Sequence, residues 1–269
     1  MRMIDTQQVQ GRPVSAFSRR IVSHVIAGLM LAAAVIPSSA QSEELSGSVT
    51  LYGWLPWTDA ELTAHSGAGD FKTSADPGDV LDALEAAFFV AGEVHYGRIG
   101  LLHDTAYADL GNSGTTSGPL ASSVDVDVEL RMHTTALGYQ VYREDGKLIE
   151  PFAGARYVDL EMDVTVTGGG PIGISVSADA EQDWWEPVIG VRGRLPLTEK
   201  LTAGGFVDIG GFGAGSEFTW EVFAGLEYAV SDRFGLNAGF RYISIDYEAK
   251  RADLKLEIYG PVLGVTLRF

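Results

Sequence analysis

The sequence contains no cysteine, which excludes disulfide staples and thiolate metal sites. Basic side chains are scarce: 19 Lys and Arg stand against 36 Asp and Glu, for a net charge of −17. That balance disfavours nucleic acid and anionic surfaces as partners and suits cations. Histidine is rare too, and beyond residue 40 only His65, His95, His103 and His133 occur. No G-x-S-x-G elbow, phosphate-binding loop or His-rich metal spacing is present. His65-Ser66 lies in a Gly-rich stretch, but adjacency in sequence is not triad geometry. His103-Asp104 would point to opposite faces of a strand. Neither an enzyme site nor a cofactor is expected.

Long apolar runs are missing after the first forty residues. Before that, Arg19-Arg20 precedes the run from Val25 to Ile36, which is followed by Pro37-Ser38-Ser39-Ala40. A basic region, an apolar stretch too short to span and a small-residue site read as a signal peptide over 1–40, cleaved after Ala40 following Sec export. Four of the basic and one of the acidic side chains belong to that segment, which leaves 15 against 35 and a net charge of −20 for residues 41–269. With no helix-length apolar run in this remainder, a spanning chain has to be a closed β-barrel, because every backbone polar group in lipid needs an internal partner.

What is there is a period of two. In 259–269, Tyr259, Pro261, Leu263, Val265, Leu267 and Phe269 share one face, while Gly260, Val262, Gly264, Thr266 and Arg268 share the other. An apolar face bounded by aromatics, opposite a small or polar face, suits a lipid-facing barrel strand. The stretch resembles the C-terminal strand of Gram-negative outer-membrane β-barrel proteins, in which a terminal Phe closes a run of alternating apolar residues. Leu51-Tyr52-Gly53-Trp54-Leu55-Pro56 and Gly210-Gly211-Phe212-Gly213-Ala214-Gly215-Ser216 extend the likeness to small barrels of the OmpA and OmpW type. The resemblance implies the outer membrane as the location, lipid and lipopolysaccharide as surroundings, and Phe269 as the signal read by the barrel assembly machinery. It carries over no catalytic residue.

The pattern predicts an all-β, closed antiparallel up-and-down transmembrane barrel of about ten strands. The strands fall near 47–57, 86–96, 99–110, 122–143, 147–164, 182–195, 200–211, 217–230, 234–248 and 253–269, or twelve in all if 58–75 adds its own hairpin. Short turns at 96–99, 144–146, 196–200 and 231–233 alternate with longer connections at 58–85, 111–123 and 165–181. Turn geometry sets register. A two-residue Gly97-Arg98 turn puts Val94 opposite Leu101. A three-residue Glu144-Asp145-Gly146 turn puts Val141 opposite Ile149. A Ser231–Arg233 turn puts Tyr228 opposite Leu236. The first strand is apolar on both faces and stays ambiguous.

With these registers the lumen collects Glu93, Asp104, Arg156, Glu186, Arg192, Arg194, Asp208, Glu221, Glu227 and Arg241. A basic side chain on the lipid face costs about 2–4 kcal/mol at the midplane, so the opposite parity is untenable. The charges should pair, with Glu221 and Arg192 as candidate partners. Either they fill a small barrel as a polar core or they line an ion path.

Farther along, polarity inverts. Outward positions become charged, Arg131 facing Asp159, Glu129 facing Glu161 and Asp127 facing Asp163, while Val124 to Met132 and Leu160 to Val166 turn apolar faces inward. The final hairpin repeats this with Asp246 and Glu248 outside and Ile243, Ile245 and Tyr247 inside. Such a barrel protrudes above a Tyr157/Trp185/Tyr242/Tyr259 girdle, with a dry upper lumen that is either a packed cap or a port for an apolar compound. Asp76, Pro77 and Asp79 predict a short amphipathic helix in the first outer loop. The acids Asp127, Glu129, Glu161 and Asp163 form either a solvated face or a patch that Ca²⁺ or Mg²⁺ bridges. The expectation is a monomeric barrel with a structural or narrow small-solute permeation role; the alternative is a binding or transport port for a small apolar compound.

Overall fold

Gly97 and Arg98 make the first of the tight turns that hold the barrel together: Tyr96 pairs with Ile99, Val94 with Leu101 and Val90 with Thr105. In this computed structural model, which describes residues 45–65, 70–116, 122–168, 175–248 and 252–269, thirteen strands and one short helix follow in order. They are β1 (Leu45–Trp54), β2 (Trp57–Ala64), β3 (Asp70–Ala75), α1 (Pro77–Ala83), β4 (Leu84–Tyr96), β5 (Ile99–Thr116), β6 (Ser122–Tyr139), β7 (Tyr142–Glu144), β8 (Lys147–Gly168), β9 (Ser175–Pro196), β10 (Leu201–Ala214), β11 (Ser216–Ala229), β12 (Phe234–Glu248) and β13 (Ala252–Arg268). The signal segment and cleavage site expected over 1–40 lie outside the described residues.

Ten strands form the ring. Each of β4, β5, β6, β8, β9, β10, β11, β12 and β13 pairs antiparallel with the next, and β1 seals the ring between β4 and β13. Beside Ser48↔Arg268, Gly47 N donates to Phe269 O at 2.9 Å and Phe269 N to Gly47 O at 3.0 Å. The expected hairpin over 58–75 does form, but outside the ring. After the break at Leu55-Pro56, β2 continues where β1 stops and pairs with the upper half of β13, and β3 pairs with β2. Proline at the junction lacks the N–H that an unbroken ladder would need.

The ladders of β11–β12 and β12–β13 follow the expected register, Tyr228 opposite Leu236 and Asp246 opposite Lys255. So does β6–β8, with His133 opposite Tyr157 and Glu129 opposite Glu161. The turn joining them differs. Asp145 and Gly146 have φ of 50° and 73°, the two-residue turn whose twist matches a hairpin and whose second position favours glycine. Glu144 therefore pairs with Lys147 and Tyr142, not Val141, meets Ile149. The extra residue is absorbed at Gln140-Val141, where Gln140 N donates to Arg98 O at 2.8 Å and Arg98 Nη1 to Gln140 O at 3.1 Å. Two connections expected at 111–123 and 165–181 are mostly strand, since β5 runs to Thr116 and β9 starts at Ser175.

The outward face is apolar over the lower barrel, where Leu101, Leu137, Ile189, Leu236 and Leu263 are all at least half exposed. A continuous band of that kind marks a surface built for lipid. Aromatic rings close it above. Trp57 stacks on Tyr259, Tyr259 on Tyr242 and Tyr242 on Trp220, with centroids 6.0, 5.7 and 4.5 Å apart. Tyr157 and Trp185 continue the belt on β8 and β9 at 5.0 Å. Trp57 and Trp220 join the four girdle residues expected from sequence. Polar groups at this level satisfy each other: Thr105 Oγ1 lies 2.9 Å from His103 Nε2 and 3.0 Å from His133 Nδ1, and Thr135 Oγ1 lies 2.8 Å from His103 Nδ1. Pairing of this sort is what lets hydroxyls and imidazoles border an apolar phase.

Helix α1 begins as its sequence dictates. Asp76 caps Gly78 N and Asp79 N, and Asp79 returns the bond to Asp76 N at 3.1 Å. It buries none of its own residues, so it rests on the rim and does not enter the lumen.

Candidate functional site

Strand parity sends side chains of all ten ring strands into the lumen, where they stack in three levels. The top level is apolar. Trp54, Met132, Val158, Trp184, Ile243, Ile245 and Ile258 are buried together, with Phe89 and Tyr247 packed against them. Tyr247 stacks on Trp184 at 4.4 Å, and its hydroxyl donates to Gln182 Oε1 at 3.0 Å. Trp54 and Tyr52, ambiguous in the sequence, face inward, and Leu51, of the opposite parity, is exposed.

The middle level is a charge network built on two arginines. Arg156, 1% exposed, donates from Nη2 to Asp208 Oδ1 at 2.9 Å and to Glu221 Oε2 at 2.7 Å, from Nη1 to Glu186 Oε1 at 3.3 Å and from Nε to Thr134 Oγ1 at 3.1 Å. Arg241 donates from Nε to Glu221 Oε1 at 2.6 Å, from Nη2 to Asp104 Oδ1 at 2.9 Å and from Nη1 to the Tyr52 hydroxyl at 2.6 Å. Its guanidinium also lies 5.0 Å above the Trp54 ring, joining this level to the apolar one. Glu186 Oε2 accepts from Trp184 Nε1 at 3.2 Å, from Thr219 Oγ1 at 3.0 Å and from Ser216 Oγ. Charges taken from water this completely persist only when each is paired and hydrogen-bonded.

The lower level holds Glu93, Arg192, His95 and Glu150. Arg192 grips Glu150 Oε2 from Nε at 2.8 Å and from Nη2 at 2.6 Å, and reaches Glu93 with Nη1. His95 Nε2 lies 3.2 Å from Glu150 Oε1 and 3.1 Å from Arg192 Nη2. Glu150 is fully buried, and Gly138 makes the room, because a Cβ there would overlap its carboxyl group. Near the turn end, Glu227 sits between Arg268 and Arg194, the latter 4.0 Å away. Between the lower and middle levels lies a cavity of about 290 Å³, bordered by Thr50, Ala91, Phe206, Phe223, Asn237 and Arg241.

All ten lumen residues named from sequence thus face the interior, but in separate groups. Glu221 does not meet Arg192; it bridges Arg156 and Arg241, which stand on either side of it. Glu150 escaped the sequence reading although it shares parity with Phe152 and Arg156, and that parity was the available signal. Tyr52, Thr219 and Ser216 joined the network without any charge to announce them.

Above the girdle, the outward rows run as expected across β6 and β8 and extend to both sides. Asp109, Glu129, Glu161 and Glu181 stand side by side, as do Tyr107, Arg131, Asp159 and Asp183. Arg131 reaches more than the one rung foreseen, donating to Asp159 Oδ2 at 2.6 Å, to Glu161 Oε1 at 3.0 Å and to Glu129. Burial alone would lower its pKa, but the hydrogen bonds it donates to these acids, and their charge, hold it above the ordinary value. Partial burial, with the charges of Glu85 and Asp127, raises the Asp109 carboxyl. At the rim, His65 Nε2 lies 2.9 Å from Asp253 Oδ1, both nearly half exposed.

A closed ring, a lipid-facing apolar band, an aromatic girdle and a charged lumen define a transmembrane β-barrel of the outer-membrane type. Among solved structures the chain is similar to the outer membrane protease OmpT from Escherichia coli, with a TM-score of 0.57 at 10% identity over 87% of this chain and 99% of that one. It also matches the translocator domain of the autotransporter NalP from Neisseria meningitidis, with a TM-score of 0.40 at 16% identity over 94% and 98%. A third match is the attachment invasion locus protein Ail of Yersinia pestis, with a TM-score of 0.36 at 11% identity over 84% and 99%. No protein-family model matches the chain, and no curated protein sequence does. At such identities the likeness is one of fold.

Proposed function

We propose that this protein resides in the outer membrane as a non-conducting barrel, and that its role is structural and exercised through its outer surfaces. The observation that carries this reading is the stacking of two filled levels across the lumen. Arg156, Glu186 and Glu221 are each 1% exposed, and Ile243, Ile245 and Val158 above them are no more than 1% exposed. An ion crossing the middle level would have to separate guanidinium–carboxylate pairs in a low-dielectric interior, and then cross an apolar level that offers no ligand. The likeness to a protease is one of fold and adds no reaction to this reading.

The test is planar-bilayer recording of the refolded, full-length barrel. Membranes should stay silent for the unaltered chain and also for Trp54→Ala with Trp184→Ala, which thins the apolar level but leaves the charged one closed. Stable single-channel steps from the unaltered chain would reject a closed lumen. A second reading rests on one observation: Leu62 and Met162, on the inward faces of β2 and β8, are 42% and 41% exposed. They make the mouth above the cap apolar and open, a seat for a small apolar compound. Quenching of Trp184 fluorescence by such a compound, lost on Met162→Glu, would favour that seat.

A further inference from the structure

We propose that the outward face of β8 and β9 carries a divalent-cation site of the calcium class, formed by Asp159, Glu161 and Glu181. One carboxylate oxygen from each of the three lies within 4.8 Å of the others, the spacing at which a single hard cation can take all of them. Register explains the meeting: Glu161 and Glu181 are direct cross-strand partners, and Asp159 is two residues from Glu161 on the same face.

An acidic face alone would be ordinary. Asp159 separates this one from a solvated patch. It is 8% exposed, and its Oδ1 is buried with no hydrogen-bond partner. A buried carboxylate oxygen left empty is costly, and native structures normally fill such an atom with a donor or an ion. Arg131 takes the other oxygen, Oδ2, and takes Oε1 of Glu161. It thereby steadies two of the three carboxylates, while Asp159 Oδ1 keeps no partner of its own. Arg131 also occupies Glu129, which shifts the centre of the patch foreseen from sequence by one strand. Asp127 and Asp163 face each other one rung farther out, and both are exposed. They serve as the control.

Tyr157 and Trp185 pair two rungs below Glu161 and Glu181 on the same face, close enough to sensitise a bound lanthanide. The full-length barrel, refolded in detergent micelles free of lipopolysaccharide, is titrated with Tb³⁺ under tryptophan excitation and back-titrated with Ca²⁺. The expected result is saturable emission displaced by Ca²⁺. Glu161→Gln with Glu181→Gln should weaken binding by about tenfold or more, on the scale of a lost metal contact. Asp127→Asn with Asp163→Asn removes the same charge from the same face and should leave affinity nearly unchanged. Emission that never saturates, or an equal loss in both double variants, would overturn the site and leave a diffuse acidic surface. Heat-modifiable mobility checks folding. If the first double variant fails to fold, Glu181→Gln alone is read against Asp163→Asn by the same two outcomes.

Discussion

Replacing Arg156 by Met keeps most of the side chain's volume and removes the charge at the centre of the middle level. Three carboxylates lose a donor. Glu221 keeps Arg241 at 2.6 Å, and Glu186 keeps Trp184, Thr219 and Ser216, so Asp208 loses the one side chain that donates to it among the described residues. Removing one partner of a buried ion pair costs about 3–5 kcal/mol, because an uncompensated charge remains. Two of the three carboxylates keep other donors, which places this variant in that range and not beyond it. Denaturant unfolding in liposomes, followed by tryptophan fluorescence and heat-modifiable mobility, measures the loss. Adding Asp208→Asn should recover most of it, since removing pair members together is often neutral. A loss under about 1 kcal/mol for Arg156→Met, the size expected of an exposed pair, would show that water reaches the middle level, and the closed-lumen reading would fall with it.

Gly138→Ala should destabilise by about 1–3 kcal/mol, as overpacking does, because the new methyl overlaps Glu150. Gly53→Ala meets no atom within 4 Å and should be neutral or slightly stabilising in the same unfolding assay. Asp109 has a folded pKa raised above its unfolded value, so its ionisation weakens the fold as pH rises through the carboxylate range and beyond. Asp109→Asn should therefore raise the melting temperature at pH 8, with the gain vanishing at pH values below the ordinary Asp pKa of about 4; a gain equal at both would refute the assignment. Deleting Phe269 removes both backbone bonds to Gly47 and the ring that packs beneath it, and should lower the yield of heat-modifiable barrel in the membrane. Normal yield would remove Phe269 from the assembly step.

The barrel was legible because lipid and lumen impose opposite chemistry on alternate residues, and the arginines leave no choice of parity. Cross-strand pairs such as Glu129–Glu161 and Asp246–Lys255 follow from that parity once a turn is placed. Turn conformation itself is set by backbone angles: Glu144-Asp145-Gly146 permits a two- or a three-residue loop, and only the left-handed Asp145 decides between them. The β2–β3 hairpin was visible, but its position outside the ring depends on β1 yielding its place on β13 at Pro56. Within the lumen, sequence parity told which charges enter but not which ones meet, since partners such as Arg241 and Asp104 come from strands 137 residues apart. Glycines are silent in a charge pattern, so the room at Gly138 that admits Glu150 went unseen.

The upper sheet has free edges. Above Val188, β9 is ladder-paired with β8 alone among the described residues, and β3 with β2 alone. Such edges are templates for another chain to pair with, and proteins blunt them with charge. Glu181 and Asp183 on β9 and Lys72 on β3 are all exposed. In a membrane where barrels stand shoulder to shoulder, two copies approaching through their β9 edges meet carboxylates before backbone. Like charge beside an unpaired backbone edge works against strand addition by a second copy.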